Sequence, residues 1–299
     1  MKTYDEMANN VLRRIDEYKI VQKRKKRILK QTALTFGCLC LAVLVGIGVW
    51  QNNIPPAEDD NQPTEGNSVF IPALELPEPQ EGVAYDMIGL VVYKGNIYTQ
   101  AGFYDNSYEI RELVGDYLGY ATGKINEWST QDDYAEEFAS TYIGKVYSVK
   151  GYSTDFRICI VFDEYIVFLE NLNGIRLNTG KDLFGDRLKI KNRITSVRYQ
   201  THYDWDYAKN LLHECTVEQE EINAFIDDLF SGEFEYVYEK NSNFYNDTQE
   251  QAHLYLDLDD GTTVELRLFE GGYVGYQNLG WYFVKMPGSA FDTVFNVCK

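Results

Sequence analysis

Cysteine and histidine are both scarce in this chain. Five cysteines and three histidines occur in 299 residues, and no Cys-x-x-Cys or His-x-x-x-His pair suggests a metal site. Three cysteines, Cys159, Cys215 and Cys298, follow residue 50, an odd number that permits one disulfide but excludes a disulfide scaffold. We expect no metal and no cofactor, and we expect the histidines to be surface or structural residues.

Basic residues are scarce beyond position 30. The chain has 28 Lys and Arg against 46 Asp and Glu, a net charge of −18. Residues 1–30 hold ten basic and four acidic residues, which leaves 18 basic and 42 acidic residues in the remainder. An acidic excess of this size excludes a protein that binds duplex nucleic acid, because phosphate neutralisation needs a basic face. The hydrophobic content of 44% excludes disorder throughout.

Motifs of common enzymes are also lacking. No Gly-x-Ser-x-Gly elbow, phosphate-binding loop or dinucleotide fingerprint is present. In a calcium loop with Gly261 at its sixth position, positions one and three would be Leu256 and Leu258, which cannot ligate. Ser289 is expected to cap the last helix. We therefore expect a protein that is not an enzyme; because carboxylates abound, a membrane-anchored envelope hydrolase is the alternative.

One long run without charge separates the basic and acidic regions. Residues 32–50 would span about 28 Å as a helix, close to the thickness of a bilayer core. Basic residues precede this run, as the positive-inside rule requires, and Trp50 stands where an interfacial anchor is expected. We expect a transmembrane helix over 31–50, a cytoplasmic N-terminus and an extracellular C-terminal region. A cleaved signal peptide is the rival interpretation.

Residues 1–30 are predicted to form a basic amphipathic helix in the cytoplasm. Thr3 and Glu6 match a capping box at its start. One face repeats at three- or four-residue spacing and consists of Tyr4, Met7, Val11, Ile15 and Tyr18. Thirty residues cannot bury a core of their own, so this face is expected to bind a cytosolic regulatory protein, a second copy or anionic lipid.

Proline is confined almost entirely to residues 51–83. Six of the seven prolines lie there, with seven acidic residues and no basic one. This composition predicts an extended linker that holds the distal region away from the membrane.

The remaining residues predict an α+β fold with two small, mainly antiparallel units, 84–191 and 192–299. Expected strands in the first unit are Ile88–Tyr93, Ile97–Phe103, Lys145–Lys150, Phe156–Phe162 and Tyr165–Glu170. Expected strands in the second are Ile194–Gln200, Phe234–Tyr238, His253–Leu258, Val264–Phe269 and Trp281–Val284. Short helices are expected at Tyr108–Val114, Val217–Phe230 and Ala290–Val297. In the middle helix, Thr216 and Gln219 match a capping box, and one apolar face is expected to consist of Ile222, Phe225, Ile226, Leu229 and Phe230. This order of elements favours helices on one face of the sheets.

The turn around Gly261 allows a sharper prediction. Alternate leucines on both sides must share one sheet face, and a two-residue loop would place them on opposite faces. A three-residue loop with Gly261 in the left-handed region pairs Leu256 with Val264 and Leu254 with Leu266.

Aromatic residues are abundant, at 15%. A glycine-interrupted segment near the C-terminus holds Tyr273, Tyr276, Trp281 and Tyr282. These rings could form an external stacking platform for an envelope glycan; the other interpretation is that they fill half-buried positions of small sheets.

The basic N-terminal helix, the Cys-Leu-Cys-Leu-Ala-Val-Leu-Val-Gly-Ile-Gly-Val-Trp span, the acidic linker and the β-rich exterior together resemble uncharacterised single-pass proteins of Gram-positive bacteria. Some of those resemble membrane-bound anti-sigma factors or accompany sigma factors. The resemblance is specific over residues 1–50 and implies that the helix face containing Met7 binds a cytosolic regulator. Residues 1–30 contain neither His nor Cys, which excludes the zinc-type anti-sigma domain.

We therefore expect a single-pass membrane protein with an acidic external sensing or binding region that signals to a cytosolic partner. The alternative within the binding class is an external module with no signalling role. Expected partners are the membrane, a cytosolic regulatory protein, and a glycan or protein of the envelope.

Overall fold

The computed structural model describes residues 68–74, 88–126, 129, 133, 136–209, 211–238, 250–277 and 279–299. The expected cytoplasmic helix, the expected span over 31–50 and most of the linker lie outside these ranges. Among the described helices, none has both the length and the apolar character needed to cross a membrane.

Antiparallel strands dominate the described residues, and the helices are few and short, which confirms the expected α+β class at this level. The strands are β1 Val69–Ile71, β2 Leu90–Tyr93, β3 Asn96–Asp105, β4 Val114–Thr122, β5 Ile143–Val149, β6 Arg157–Val161, β7 Tyr165–Glu170, β8 Ile175–Leu177, β9 Ile194–Thr201, β10 His213–Glu214, β11 Glu233–Tyr236, β12 Gln251–Leu258, β13 Thr263–Phe269, β14 Tyr273–Tyr276 and β15 Tyr282–Lys285. The helices are α1 Tyr108–Glu112, α2 His202–Asp206, α3 Gln219–Ser231 and α4 Ala290–Cys298, with a π-helical turn at Lys181–Gly185.

A six-stranded sheet has the order β2-β3-β7-β6-β5-β4. A connecting segment links its two edges: the Thr122 N–H donates to the Phe138 carbonyl (3.1 Å), and the Val92 N–H donates to the Ala139 carbonyl (2.8 Å). Apolar side chains are buried on both faces, so Ile158 belongs to one cluster and its neighbour Cys159 to another. Burial on both faces explains why the strands β2, β6 and β7 are nearly continuous apolar runs.

A seven-stranded sheet has the order β10-β9-β12-β13-β14-β15-β11. Its central hairpin has the predicted register: Leu256 lies opposite Val264 and Leu254 opposite Leu266. Gly261 has a φ of +79°, the left-handed conformation that the three-residue loop requires. The prediction from side-chain alternation is therefore confirmed.

The helices α3 and α4 pack on the leucine face of this sheet and on each other. Four of the five predicted core residues of α3 are buried, namely Ile222, Phe225, Ile226 and Leu229, while Phe230 is half-buried. Full burial of a side chain of this size contributes about 1.5–3 kcal/mol. The amphipathic face therefore stabilises α3 far more than its ends do.

Two details of the helix ends differ from expectation. The N-cap of α3 is Glu218, with no side-chain capping bond, so the capping box predicted from Thr216 and Gln219 is wrong. Ser289 is the N-cap of α4, but its hydroxyl makes no capping hydrogen bond. Because both helices bury an apolar face, packing fixes their start without a cap.

The six-stranded sheet lies within residues 84–191 and the seven-stranded sheet within 192–299, and both belong to one compact unit, Trp50–Lys299. The sheets meet through buried polar contacts. Arg157 in β6 forms an ion pair with Glu170 in β7, and the Tyr276 hydroxyl of β14 donates to the same carboxylate (3.0 Å). The Tyr104 hydroxyl donates to the Thr263 carbonyl (3.3 Å).

Candidate functional site

The face of the seven-stranded sheet opposite its leucine rows is polar. Strand alternation places His253, Tyr255 and Asp257 of β12 on this face. The hairpin register sets His253 opposite Arg267 and Tyr255 opposite Glu265. One strand pairing therefore assembles imidazole, phenol, carboxylate and guanidinium groups on neighbouring positions.

Asp257 organises one end of this polar face. Its carboxylate accepts hydrogen bonds from Arg198 Nε (2.7 Å) and Nη2 (2.6 Å), from Ser196 Oγ (2.6 Å) and from Thr263 Oγ1 (2.8 Å). Burial alone would raise the pKa of Asp257, but these donors lower it by more. The carboxylate is thus charged and fully engaged, and its role is to hold β9, β12 and β13 together.

Two histidines and a carboxylate form a relay at the other end. His253 is buried, and its Nδ1 lies 3.0 Å from Glu265 Oε1. Its Nε2 lies 3.4 Å from Nδ1 of His202, which is the first residue of α2. A carboxylate orients imidazole by accepting from Nδ1–H, which leaves Nε2 of His253 to accept from His202. We infer these tautomers from the hydrogen-bond chain. The Nε2 atom of His202 is then an acceptor.

Both histidines of the relay are neutral at pH 7. Burial, with smaller contributions from Arg267 and His253, lowers the pKa of His202 to about 4. Burial also lowers the pKa of His253 and outweighs the Glu265 carboxylate, which raises it. The relay therefore presents a hydrogen-bond acceptor and not a cation at neutral pH.

The short helix α2 covers the relay with an indole. The Thr201 hydroxyl accepts from the Asp204 N–H (3.2 Å) and caps the helix. This geometry places Trp205 parallel to His253, with ring centroids 4.4 Å apart and planes inclined by 12°. The guanidinium of Arg267 lies 5.3 Å from the Trp205 ring. Trp205 thus shields the buried histidine from water.

Four large hydrophobic side chains in α2 and in the segment that follows it are 46–64% exposed. They are Tyr203, Tyr207, Leu211 and Leu212, and we call them the α2 patch. The rings of Tyr203 and Tyr207 have centroids 4.6 Å apart. Lys209 lies over Tyr203, with Nζ 3.8 Å from the ring centroid, and pairs with Asp204 (2.9 Å). Four exposed apolar side chains within ten residues are typical of a binding surface.

The aromatic residues singled out from the sequence do not form one exposed face. Tyr276 and Trp281 are buried, and the Tyr276 hydroxyl is bonded to Glu170. Tyr282 is half-buried against Tyr236, with centroids 5.1 Å apart, and Tyr273 lies under Lys285. These positions match the interpretation that the rings fill a small sheet.

The other predicted site residues, Tyr4, Met7, Val11, Ile15 and Tyr18, lie outside the described residues. Within the described ranges, no three His, Cys, Asp or Glu side chains are arranged to hold a metal ion. Cys159 and Cys298 are buried, as expected for core residues, and Cys215 is half-buried.

A cavity of 440 Å³ lies apart from the relay and shares no residue with it. Its charged lining residues are Arg176, Arg187, Lys189, Asp155, Asp182 and Asp186. Three cations against three carboxylates give no net charge to select an ion of either sign.

Comparison of the chain with protein-family models, curated proteins and solved structures finds no match. The candidate site therefore rests on its geometry. Sequence reasoning missed it, although one signal was present: the predicted register of the Gly261 hairpin already places Tyr255 opposite Glu265. The contribution of His202 and Trp205 had no comparable signal, because it depends on the pairing of β9 with β12.

Proposed function

We propose that this chain is a single-pass membrane protein whose external region binds an uncharged carbohydrate of the cell envelope at the α2 patch. The observation that carries the proposal is the exposure of Tyr203, Tyr207, Leu211 and Leu212 beside His202. Exposed apolar surface is costly to maintain in water and is commonly retained for recognition.

The chemistry of the patch favours a sugar over other envelope ligands. A sugar ring has an apolar C–H face, which packs on tyrosine rings. It also has hydroxyl groups, which can donate hydrogen bonds to the neutral Nε2 acceptor of His202. Beyond position 30 the chain has 18 basic and 42 acidic residues, and this negative charge repels anionic wall polymers. An uncharged polysaccharide can pack on the patch and avoids this repulsion.

A pull-down with insoluble cell-wall polysaccharide tests the site. Full-length protein in detergent should bind, and the double variant Tyr203→Ala/Tyr207→Ala should bind about tenfold more weakly, because exposed aromatic anchors dominate such contacts. Tyr108→Ala is the matched control, since this tyrosine is 77% exposed in α1. Equal binding by the double variant and the wild type would refute the assignment of the site. Failure of the wild type to bind the polysaccharide would refute the ligand class.

We further propose that the N-terminal helix relays the bound state to a cytosolic regulatory protein through the face that contains Met7 and Val11. Photo-crosslinkers at these two positions in living cells should capture a protein. Crosslinkers at Asn9 and Arg13, on the opposite face of a helix with 3.6 residues per turn, are the controls and should not. Recovery of lipid alone from Met7 and Val11 would leave the helix as a membrane anchor and contradict its proposed role in signalling.

The proposed topology has its own test. A reporter that folds only outside the cytoplasm, fused after Lys299, should be active. An inactive reporter would reverse the assignment drawn from the positive-inside rule.

A further inference from the structure

Two of the three external cysteines contact each other. Cys298 belongs to the main core cluster and Cys215 packs against the same cluster, and each thiol is the largest influence on the pKa of the other, although both cysteines are free in the structure. Cys159 lies in β6, where its thiol points to the Ser148 carbonyl (3.9 Å). Among these three cysteines, Cys215 and Cys298 are therefore the pair that the fold brings together.

The backbone holds both thiols in place. Cys215 follows β10 directly, and its N–H donates to the Val197 carbonyl of β9 (2.9 Å). Cys298 is the last residue of α4, which packs against β9 and β12. The two side chains join the C-terminal end of a helix to the edge of the sheet beneath it.

The two thiols differ in access and in acidity. Cys298 is buried and Cys215 is half-buried, so an oxidant reaches Cys215 first. The neighbouring Cys298 side chain lowers the pKa of the Cys215 thiol to about 6, while the Cys215 side chain and burial raise the pKa of Cys298. Cys215 is thus the better nucleophile at neutral pH.

We propose that Cys215 and Cys298 form a disulfide that fastens α4 to the edge of the seven-stranded sheet. The oxidant is a disulfide, either of a small thiol such as glutathione or of a thiol–disulfide oxidoreductase. The Cys215 thiolate attacks one sulfur of this disulfide, forms a mixed disulfide and releases one oxidant thiolate. The Cys298 thiol then loses its proton and attacks Cys215 Sγ, which expels the second oxidant thiolate. Two protein thiols are oxidised and one oxidant disulfide is reduced to two thiols.

The disulfide would also restrain the α2 patch. Leu212 lies three residues before Cys215, so the crosslink fixes the C-terminal end of the segment that carries the patch. An oxidising environment outside the membrane is where such a bond persists. The disulfide depends on the proposed external location for its oxidant, whereas the position of the two cysteines in the fold does not depend on that location.

Peptide mapping tests the bond. The reduced full-length protein is treated with oxidised glutathione, alkylated in denaturant and digested with trypsin without reduction. The expected product links residues 210–240, which contain Cys215, to residues 286–299, which contain Cys298. Cys159→Ser should retain this linked peptide, and Cys215→Ser should lose it. Stable glutathione adducts on Cys215 with unlinked Cys298, or links to Cys159 of equal yield, would overturn the proposal.

A second arm separates the disulfide from the proposed location. Thiols are trapped with N-ethylmaleimide in intact cells before lysis, and the same linked peptide is expected. A pair that links in vitro but remains reduced in cells would contradict the external location of this region, whereas failure in vitro would contradict the disulfide itself.

Discussion

The buried ion pair of the six-stranded sheet, which Tyr276 of the other sheet also contacts, gives the sharpest stability prediction. Glu170 is fully buried; its Oε1 accepts from Arg157 Nε (2.9 Å), and its Oε2 accepts from the Tyr276 hydroxyl (3.0 Å). The Nη1 atom of Arg157 is buried without a hydrogen-bond partner, and besides the Tyr152 ring, whose centroid lies 4.2 Å from Cζ, this carboxylate is the main compensation for the charge. Glu170→Ala would leave the guanidinium buried and unpaired.

Breaking a buried pair by removing one partner costs about 3–5 kcal/mol. That loss is a large share of a total stability of about 5–15 kcal/mol. Tyr276→Phe removes one hydrogen bond to a charged group and should cost about 1.5–3 kcal/mol. Replacing all three groups by apolar ones, with Arg157→Met, Glu170→Leu and Tyr276→Phe, leaves no unpaired charge. This triple variant should therefore be more stable than Glu170→Ala alone.

Urea unfolding of the full-length protein in detergent, followed by tryptophan fluorescence, measures these differences. Asp227→Ala is the control, because its pair with Lys191 is exposed (2.6 Å) and should change stability by less than about 0.5 kcal/mol. The reasoning fails if Glu170→Ala is destabilised no more than Asp227→Ala, or if the triple variant is less stable than Glu170→Ala.

Three further predictions concern the seven-stranded sheet. His202 has a pKa of about 4 in the fold, below its usual value of about 6.5, so the unfolded chain binds more protons and stability falls as pH decreases through this window. Urea titrations at pH 7.5 and pH 5 should differ by about 1 kcal/mol more for wild type than for His202→Asn, because solvent screening of this partly exposed side chain reduces the full effect of the pKa shift; an identical difference would exclude the depressed pKa. Gly261→Ala should lower stability by about 1–2 kcal/mol because its φ is +79°, and a variant as stable as wild type by thermal unfolding would contradict the turn assignment. Leu266→Ala should cost about 2–5 kcal/mol, since this side chain is fully buried in the main core; a loss below 1 kcal/mol in the same assay would show that the site is looser than described.

Two of the strands that sequence reasoning missed, β4 and β14, share one property. The strand β4 contains Gly115 and Gly119 and three exposed or half-exposed tyrosine or aspartate positions, so its alternation is weak. A Cβ at Gly119 would lie 2.2 Å from the Phe138 ring, so glycine there serves a close packing contact rather than a turn. The strand β14 is hidden in the same way by Gly275, which lies against Phe283. In both cases tertiary packing overrides local preference.

The candidate site shows the same limit at the level of function. Local alternation was enough to place Tyr255 and Glu265 on one face. It could not reveal that His202 meets His253, since these residues are 51 positions apart and are brought together by the pairing of β12 with β9, the strand that ends just before His202. It also could not show that Tyr276 faces the sheet interface while Tyr203 is exposed.

The sequence by itself determined the charge asymmetry, the β-rich composition and the register of the Gly261 hairpin, because each depends on residues close together in the chain. The tertiary structure alone decided which polar groups share a face, which tyrosines are exposed and which cysteines meet. Those outcomes depend on the order of strands within each sheet and on the contact between the sheets. No periodicity within a single strand encodes either property.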